Sequence, residues 1–384
     1  MRFAERMSRL GTETAFEVLA KAKQLEAEGK NIIHLEIGEP DFTTPKNICD
    51  AAIRSINAGD THYTPSNGII ELRTSIAKYM SKTRGVDFHP DEVVVTPGGK
   101  PIMFFSILTL IDEGDEVIYP NPGFPIYESM IEFVGGKAVP IQLKEERNFS
   151  FDVNDLKDLV TDKTRLLIIN SPQNPTGGIL PKEDIEKIAE IIGDKDIIVL
   201  SDEIYSRFVF SGEHFSITQI DGFKDRTIIL DGFSKYYAMT GWRVGYGVMN
   251  KELAPKISRL MVNSNSCTNA FVQKACIEAL EGPQDAVDSM KKEFIARRDV
   301  IVEGLNSLKG FSCIEPKGAF YVFPNITKTG YTSRELNDHI LYNANVAALS
   351  GTAFGDYGEG YLRFSYANSQ ENIKEAIKRI KEVL

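Results

Sequence analysis

The chain has 384 residues, 42% hydrophobic and 26% charged, a globular composition long enough for two or three domains with a deep site between them. Its net charge of −10, with no clustered Lys/Arg stretch, argues against nucleic acid or any other polyanion as a partner. Charges run through the opening "MRFAERMSRLG", no apolar run approaches the roughly 20 residues of a spanning helix, and the four cysteines are scattered without a CxxC spacing, so a reducing cytoplasm is expected.

Residues 15–28, "AFEVLAKAKQLEAE", repeat apolar positions every three to four residues and predict an amphipathic helix. A short strand and a Pro/Gly-rich loop follow in "NIIHLEIGEPDFTTP", then a second helix over 68–84. The middle of the chain changes rhythm. Short β-branched runs stop abruptly at polar or glycine residues: 91–100, 115–123, 164–178, 195–205 and 226–237. Helical patterns such as 181–192 lie between them. Continuous apolar strands alternating with helices predict a mostly parallel sheet covered on both faces, an α/β domain of three layers. From about 285 a long helix (284–308), a strand near "GAFYVFP" (318–324), a helix around 333–343, the strand "YLRFSY" (361–366) and a final helix (369–383) predict a smaller α+β domain. The expected division is an N-terminal arm with part of the small domain over 1–45, a large domain over 46–280, and the small domain over 281–384. No repeat or low-complexity linker interrupts it.

The polar residues sit where the apolar strands end, and in an open parallel sheet ligands bind beyond the carboxyl ends of the strands. The strand 93–96 runs into Gly98-Gly99-Lys100, 165–170 into Asn174-Pro-Thr-Gly, 197–201 into Asp202 and Tyr205, and 227–231 into Ser234-Lys235. The first loop, "TPGGKP", is either a plain tight turn or a phosphate cradle of backbone amides at a helix start. It is not a Walker A loop, since Val94 and Pro101 stand at positions that motif reserves for Gly and Ser/Thr. Asp202 ends an apolar strand and needs a partner, which could be an Arg, a helix N-terminus or a protonated heterocyclic nitrogen. Lys235 reads as an ordinary exposed lysine by residue type, but its strand-end setting among aromatics suits a desolvated amine of lowered pKa. The five histidines have no paired spacing, so each is read as a surface or loop residue and no metal site is expected.

This ordered set, Asn174-Pro-Thr-Gly, Asp202 with Tyr205, Ser234-Lys235, Gly241-Trp-Arg243 and Arg363 in "YLRFSYA", resembles the class I aminotransferases, fold-type I enzymes that depend on pyridoxal 5′-phosphate. The resemblance runs from "IGEPDF" (37–42) to the C-terminal helix. It implies that Lys235 carries the cofactor and then serves as base for the proton shift, and that Asp202 keeps the pyridine nitrogen protonated. It further implies that Tyr205 and Asn174 bond the ring oxygen, that Arg243, Gly99 and Lys100 hold the phosphate, the last two through backbone N–H, and that Phe124 stacks on the ring. Arg363 is implied as a two-pronged clamp on the substrate α-carboxylate, approached by the backbone of Gly38. Tyr63 resembles a residue that reaches the phosphate of the neighbouring subunit, which implies a homodimer with shared sites. Gly232 replaces a hydroxyl that many members carry three positions before the lysine, which removes one phosphate contact.

The function so implied is transfer of an amino group from an L-amino acid to a 2-oxo acid, with 2-oxoglutarate as the expected acceptor, in the aspartate/aromatic branch. A carbon–sulfur β-lyase or a non-catalytic regulator are the other readings of the same constellation. Arg297 and Arg298, on the long helix, are expected to be surface charges, not a second carboxylate clamp.

Overall fold

The computed structural model describes residues 1–384. In chain order its strands are β1 (Ile33–His34), β2 (Val93–Thr96), β3 (Glu116–Asn121), β4 (Lys137–Lys144), β5 (Ser150–Phe151), β6 (Thr164–Asn170), β7 (Ile198–Asp202), β8 (Thr227–Gly232), β9 (Gly245–Val248), β10 (Tyr321–Val322), β11 (Val346–Ala347), β12 (Leu349–Ser350) and β13 (Leu362–Ser365). The central sheet holds eight of them in the order β2-β9-β8-β7-β6-β3-β4-β5. Six run the same way; β9 and β5 oppose their neighbours.

The sheet is buried on both faces, as its uninterrupted apolar strands require. Alternate residues supply different cores. Val93, Val95, Ile229 and Val248 join one large cluster, and Leu167, Ile169 and Val199 join a second. Val94, Leu166, Ile168, Leu200, Ile228 and Leu230 join a third. Helices fill both outer layers. The apolar helix Lys100–Leu110 places Ile102, Met103 and Ile107 in the third cluster, each such side chain worth about 1.5–3 kcal/mol when removed from water.

Two small sheets complete the fold: the antiparallel β10-β13-β12 and the parallel pair β1-β11. The segment after β1 is stitched between them. Leu35 N–H donates to Ala347 O at 3.0 Å, and Ser365 N–H donates to Leu35 O at 2.7 Å. This seam carries residues 36–38 toward the open ends of the large sheet.

The smaller elements depart from the sequence reading. The strand expected over 318–324 shrinks to Tyr321–Val322, because Ala319 adopts φ 59° and turns the chain. The helix expected to 343 is α-helical over Ser333–His339 and continues as a π-turn over Ile340–Ala344.

Candidate active site

The loops after β2, β3, β6, β7 and β8 open together into a cleft of about 900 Å³. Every residue singled out from the sequence lines it except Tyr63: Gly38, Gly99, Lys100, Phe124, Asn174, Asp202, Tyr205, Lys235, Arg243 and Arg363. Tyr63 is 89% exposed and lines a separate hollow with His62 and Cys267.

Asp202 is the last residue of β7 and 8% exposed. Its Oδ2 accepts a hydrogen bond from the Tyr127 hydroxyl at 2.6 Å, and its Oδ1 accepts from the Ile204 amide at 3.2 Å. Burial pushes its carboxyl up to about 6; the two hydrogen bonds and the ammonium of Lys235 pull the other way. Sequence reasoning missed Tyr127. The signal was there: it follows Phe124 by three residues at a helix start, and the two rings meet edge to face at 5.6 Å.

Lys235 follows β8 by three residues. Its ammonium donates to the carbonyl of Gly38 and lies 5.6 Å from the ring centres of both Tyr205 and Phe320. Burial lowers it to about 8, with help from the neighbouring Arg363 charge. The close approach at Gly38 needs a glycine, since a Cβ there would stand 2.2 Å from the Tyr321 hydroxyl.

Arg363 lies in the middle of β13, 4% exposed, sandwiched between the rings of Tyr321 (4.6 Å) and Phe354 (5.0 Å). It donates to Asn174 Oδ1 at 3.3 Å and to the backbone carbonyl of Glu36, and its Nε has no partner. Burial draws its pKa down from the ordinary arginine value. A buried guanidinium bonded only to neutral groups, with an edge left over, is arranged to receive an anion. Tyr321, also missed in the sequence, connects it to Tyr205 through a hydroxyl pair at 2.7 Å.

The Asn174 loop is tied down from within. Asn170 Oδ1 accepts from Asn174 N–H at 3.0 Å while its amide donates to the carbonyls of Pro172 and Asp202. Across the cleft, the helix Lys100–Leu110 starts at the glycine pair, so the amides of Gly99 and Lys100 belong to a first turn without intrahelical acceptors. Arg243 stands beside them with φ 54°, a left-handed conformation uncommon outside glycine. Gly98, at φ +89°, leaves room for it: a Cβ there would sit 2.3 Å from the guanidinium. Helix amides and an arginine thus converge on one spot, an anion cradle.

Two expectations need correction. Arg297 and Arg298 are buried, not surface charges. Arg297 pairs with Asp41 at 2.6 Å and Glu293 at 2.9 Å, and Arg298 with Asp299 at 2.7 Å and Glu315 at 3.0 Å; neither lines the cleft. Two histidines are not ordinary surface residues. His34 bridges Glu36 at 2.7 Å and Glu26 at 3.0 Å, and His214 lies 3.1 Å from Glu203 in the interior.

The family model for aminotransferase class I and II matches residues 30–380. The chain belongs to the aminotransferase class I and II family. Its similarity to an aspartate aminotransferase of Bacillus sp. strain YM-2 is 40% identity over 98% of this chain and 97% of the relative. Among solved structures, the aspartate aminotransferase from Thermus thermophilus with maleate superposes with a TM-score of 0.95 at 35% identity, both chains fully covered. The aromatic aminotransferase from Pyrococcus horikoshii superposes with a TM-score of 0.90 at 40% identity, over 95% of this chain and 98% of that one. The chain is an aminotransferase on the fold-type I scaffold, as the sequence motifs implied. No helix is long and apolar enough to cross a membrane.

Proposed function

We propose that this aminotransferase moves the amino group of an L-amino acid to a 2-oxo acid with pyridoxal 5′-phosphate held at Lys235. The observation that carries the reading is the convergence of Lys235, Asp202 and Arg363 in one cleft. The residues fit the group. The anion cradle of Gly99, Lys100 and Arg243 suits a phosphate, and Gly98 leaves the room that lets the Arg243 guanidinium reach it. Asp202 supplies a fixed anion for a ring nitrogen, Asn174 and Tyr205 supply donors for a ring oxygen, and Phe124 supplies an aromatic face. When bound, the pyridoxal ring accepts the electron pair released from the substrate Cα–H bond.

The protein's own part follows. Arg363 binds the α-carboxylate, its free Nε edge completing a forked contact, with the Gly38 backbone beside it. Once the substrate amine has displaced it from the cofactor, Lys235, lowered to about 8 by burial and so able to act as the free amine, takes the proton from the substrate Cα and returns it one step later. Tyr127 and the Ile204 amide keep Asp202 in place throughout. Borohydride treatment of the holoenzyme tests this: the cofactor is expected on one peptide, at Lys235, and recovery at another lysine overturns the assignment.

A homodimer is part of the same proposal. Tyr63 is exposed and does not line the cleft of its own chain, and Ile53, Ile56 and Ile70 are exposed elsewhere on the surface, so a second copy is expected to bring Tyr63 to its partner's phosphate cradle. Mixed dimers of Tyr63→Phe and Lys235→Ala chains are expected to regain one intact site in two, once Tyr63→Phe alone is shown to be impaired. No regain places Tyr63 in the service of its own chain. We also read residues 46–280 as the cofactor-binding domain and 281–384 with 1–45 as the smaller one, supported by the β1–β11 pairing, and place the enzyme in the cytoplasm, supported by four free cysteines.

A further inference from the structure

Tyr205 and Tyr321 both line the cleft, and their hydroxyls lie 2.7 Å apart, each with only the other as a hydrogen-bond partner in the protein. Such a pair holds two protons and uses one between its oxygens, so one is left to donate outward. Tyr205 follows β7 of the large sheet, Tyr321 opens β10 of a small one, and their rings meet edge to face at 5.7 Å. With the cofactor placed as proposed above, on which this inference rests, Tyr205 has the ring oxygen as its acceptor. Tyr321 then donates to Tyr205, and Tyr205 donates into the cleft. A hydroxyl that accepts one hydrogen bond donates a stronger one.

Tyr321 is firmly placed. It is 1% exposed, lies across from Ser365 of β13, and follows Phe320, whose ring stacks on Phe294 at 5.2 Å. Its hydroxyl packs against the Gly38 backbone, where no side chain fits. The Arg363 guanidinium lies 4.6 Å from the centre of its ring, with Phe354 on the other side. One buried side chain therefore contacts both the donor to the ring oxygen and the clamp for the substrate carboxylate.

We propose that Tyr321 is a positioning residue for the transfer reaction: its hydroxyl strengthens and aims the Tyr205 donor, and its ring holds Arg363 in the orientation that receives a carboxylate. The charged groups around the hydroxyl pair are Arg363 on β13, Lys235 after β8, Asp202 at the end of β7 and Glu13 at the start of the N-terminal helix. None of them changes in the variants below.

The test uses the full-length holoenzyme, with Tyr321→Phe, Tyr321→Leu, Tyr205→Phe and the double variant Tyr205→Phe/Tyr321→Phe beside the parent. The first readout is the pH midpoint at which the visible cofactor band shifts. A donor to the ring oxygen favours the state in which the nitrogen that joins the cofactor to Lys235 has lost its proton, so a weaker donor raises the midpoint. Tyr321→Phe is expected to raise it by about half a unit, roughly threefold in proton affinity. Tyr205→Phe is expected to raise it further, and the double variant to match Tyr205→Phe within about 0.2 unit, because the Tyr321 hydroxyl acts through Tyr205. The second readout is affinity by calorimetry for succinate and 3-phenylpropanoate, carboxylates that cannot donate an amino group. For whichever binds the parent more tightly, Tyr321→Phe is expected to stay within about twofold and Tyr321→Leu, which removes the ring from Arg363, to weaken binding about tenfold. An unchanged midpoint in Tyr321→Phe, or shifts that add in the double variant, overturn the proposal whether or not Tyr321→Leu folds. Unchanged carboxylate affinity in a folded Tyr321→Leu overturns the role of the ring. A parent with no visible band counts against the cofactor itself, and the carboxylate measurement then decides the role of the ring alone.

Discussion

Asp202→Asn is expected to slow amino-group transfer by roughly 10³-fold or more, which corresponds to about 4 kcal/mol of barrier at 1.4 kcal/mol per factor of ten. The substitution keeps the shape of the side chain. The Tyr127 hydroxyl at 2.6 Å can still donate to an amide oxygen, so the geometry at the end of β7 persists. What disappears is a buried negative charge facing the cleft. The fold tolerates that charge at a cost, since burial pushes the carboxyl up to about 6, and a protein keeps such a group ionised where a cation is to be held. Single-turnover rates with an amino donor, with cofactor content measured in parallel, give the answer. A rate within a few-fold of the parent reduces Asp202 to a structural carboxylate.

The second large effect lies one layer below, in stability. Arg84 is 3% exposed and donates to Glu203 Oε2 at 2.7 Å and Ser206 Oγ at 2.9 Å, with Asp231 at 3.6 Å. Burial pushes the Glu203 carboxyl up, but the Arg84 and His214 charges beside it prevail and hold it well below the ordinary range. Asp231 is less fully compensated: burial takes it up to about 7 against the pull of Arg84 and the Gly232 amide, and its Oδ2 finds no hydrogen-bond donor. Arg84→Ala removes the cation shared by two buried carboxylates, leaving Asp231 with none and Glu203 with His214 alone, a loss of about 3–5 kcal/mol. For a chain of this length that is a fall in Tm of about 4–6 °C. Arg84→Lys keeps the charge but not the fork and is expected to lose less. A Tm within 1 °C of the parent for Arg84→Ala refutes the account. The network also bears on the site, because Glu203 follows Asp202, and Tyr236, which follows Lys235, donates to the Glu203 carbonyl at 2.8 Å. The side chains that face the cleft are held from behind by a charged cluster that faces away from it.

Much of this was legible before any coordinates. A continuous apolar run is a statement about burial on two faces, and β2, β3, β6, β7 and β8 were readable for that reason. The polar residues that end those runs could then be assigned to one edge of the sheet, because parallel strands carry their ligand sites there. Lys235, Asp202 and Asn174 were placed at that edge in this way, while their roles came only from the family resemblance. β9 was not legible. Its sequence, Gly-Tyr-Gly-Val, has two glycines that weaken any strand pattern. The structure gives their reason: a Cβ on Gly245 would meet the Gly99 amide at 2.5 Å, and one on Gly247 the Ile102 side chain at 2.8 Å.

The remaining features belong to the tertiary structure alone. Nothing near Arg297 in the chain predicts Asp41, 256 residues away, and so its burial could not be read from a helix that elsewhere shows charges to water. Tyr321 meets Arg363 because β10 and β13 pair, and Glu13 meets Lys100 because the start of the N-terminal helix lines the same cleft. Local sequence reports which faces are buried and which residues end a strand, since both depend on a period of two or 3.6 residues. Which charge is neutralised by which depends on how distant segments are brought together, and topology, not periodicity, fixes that.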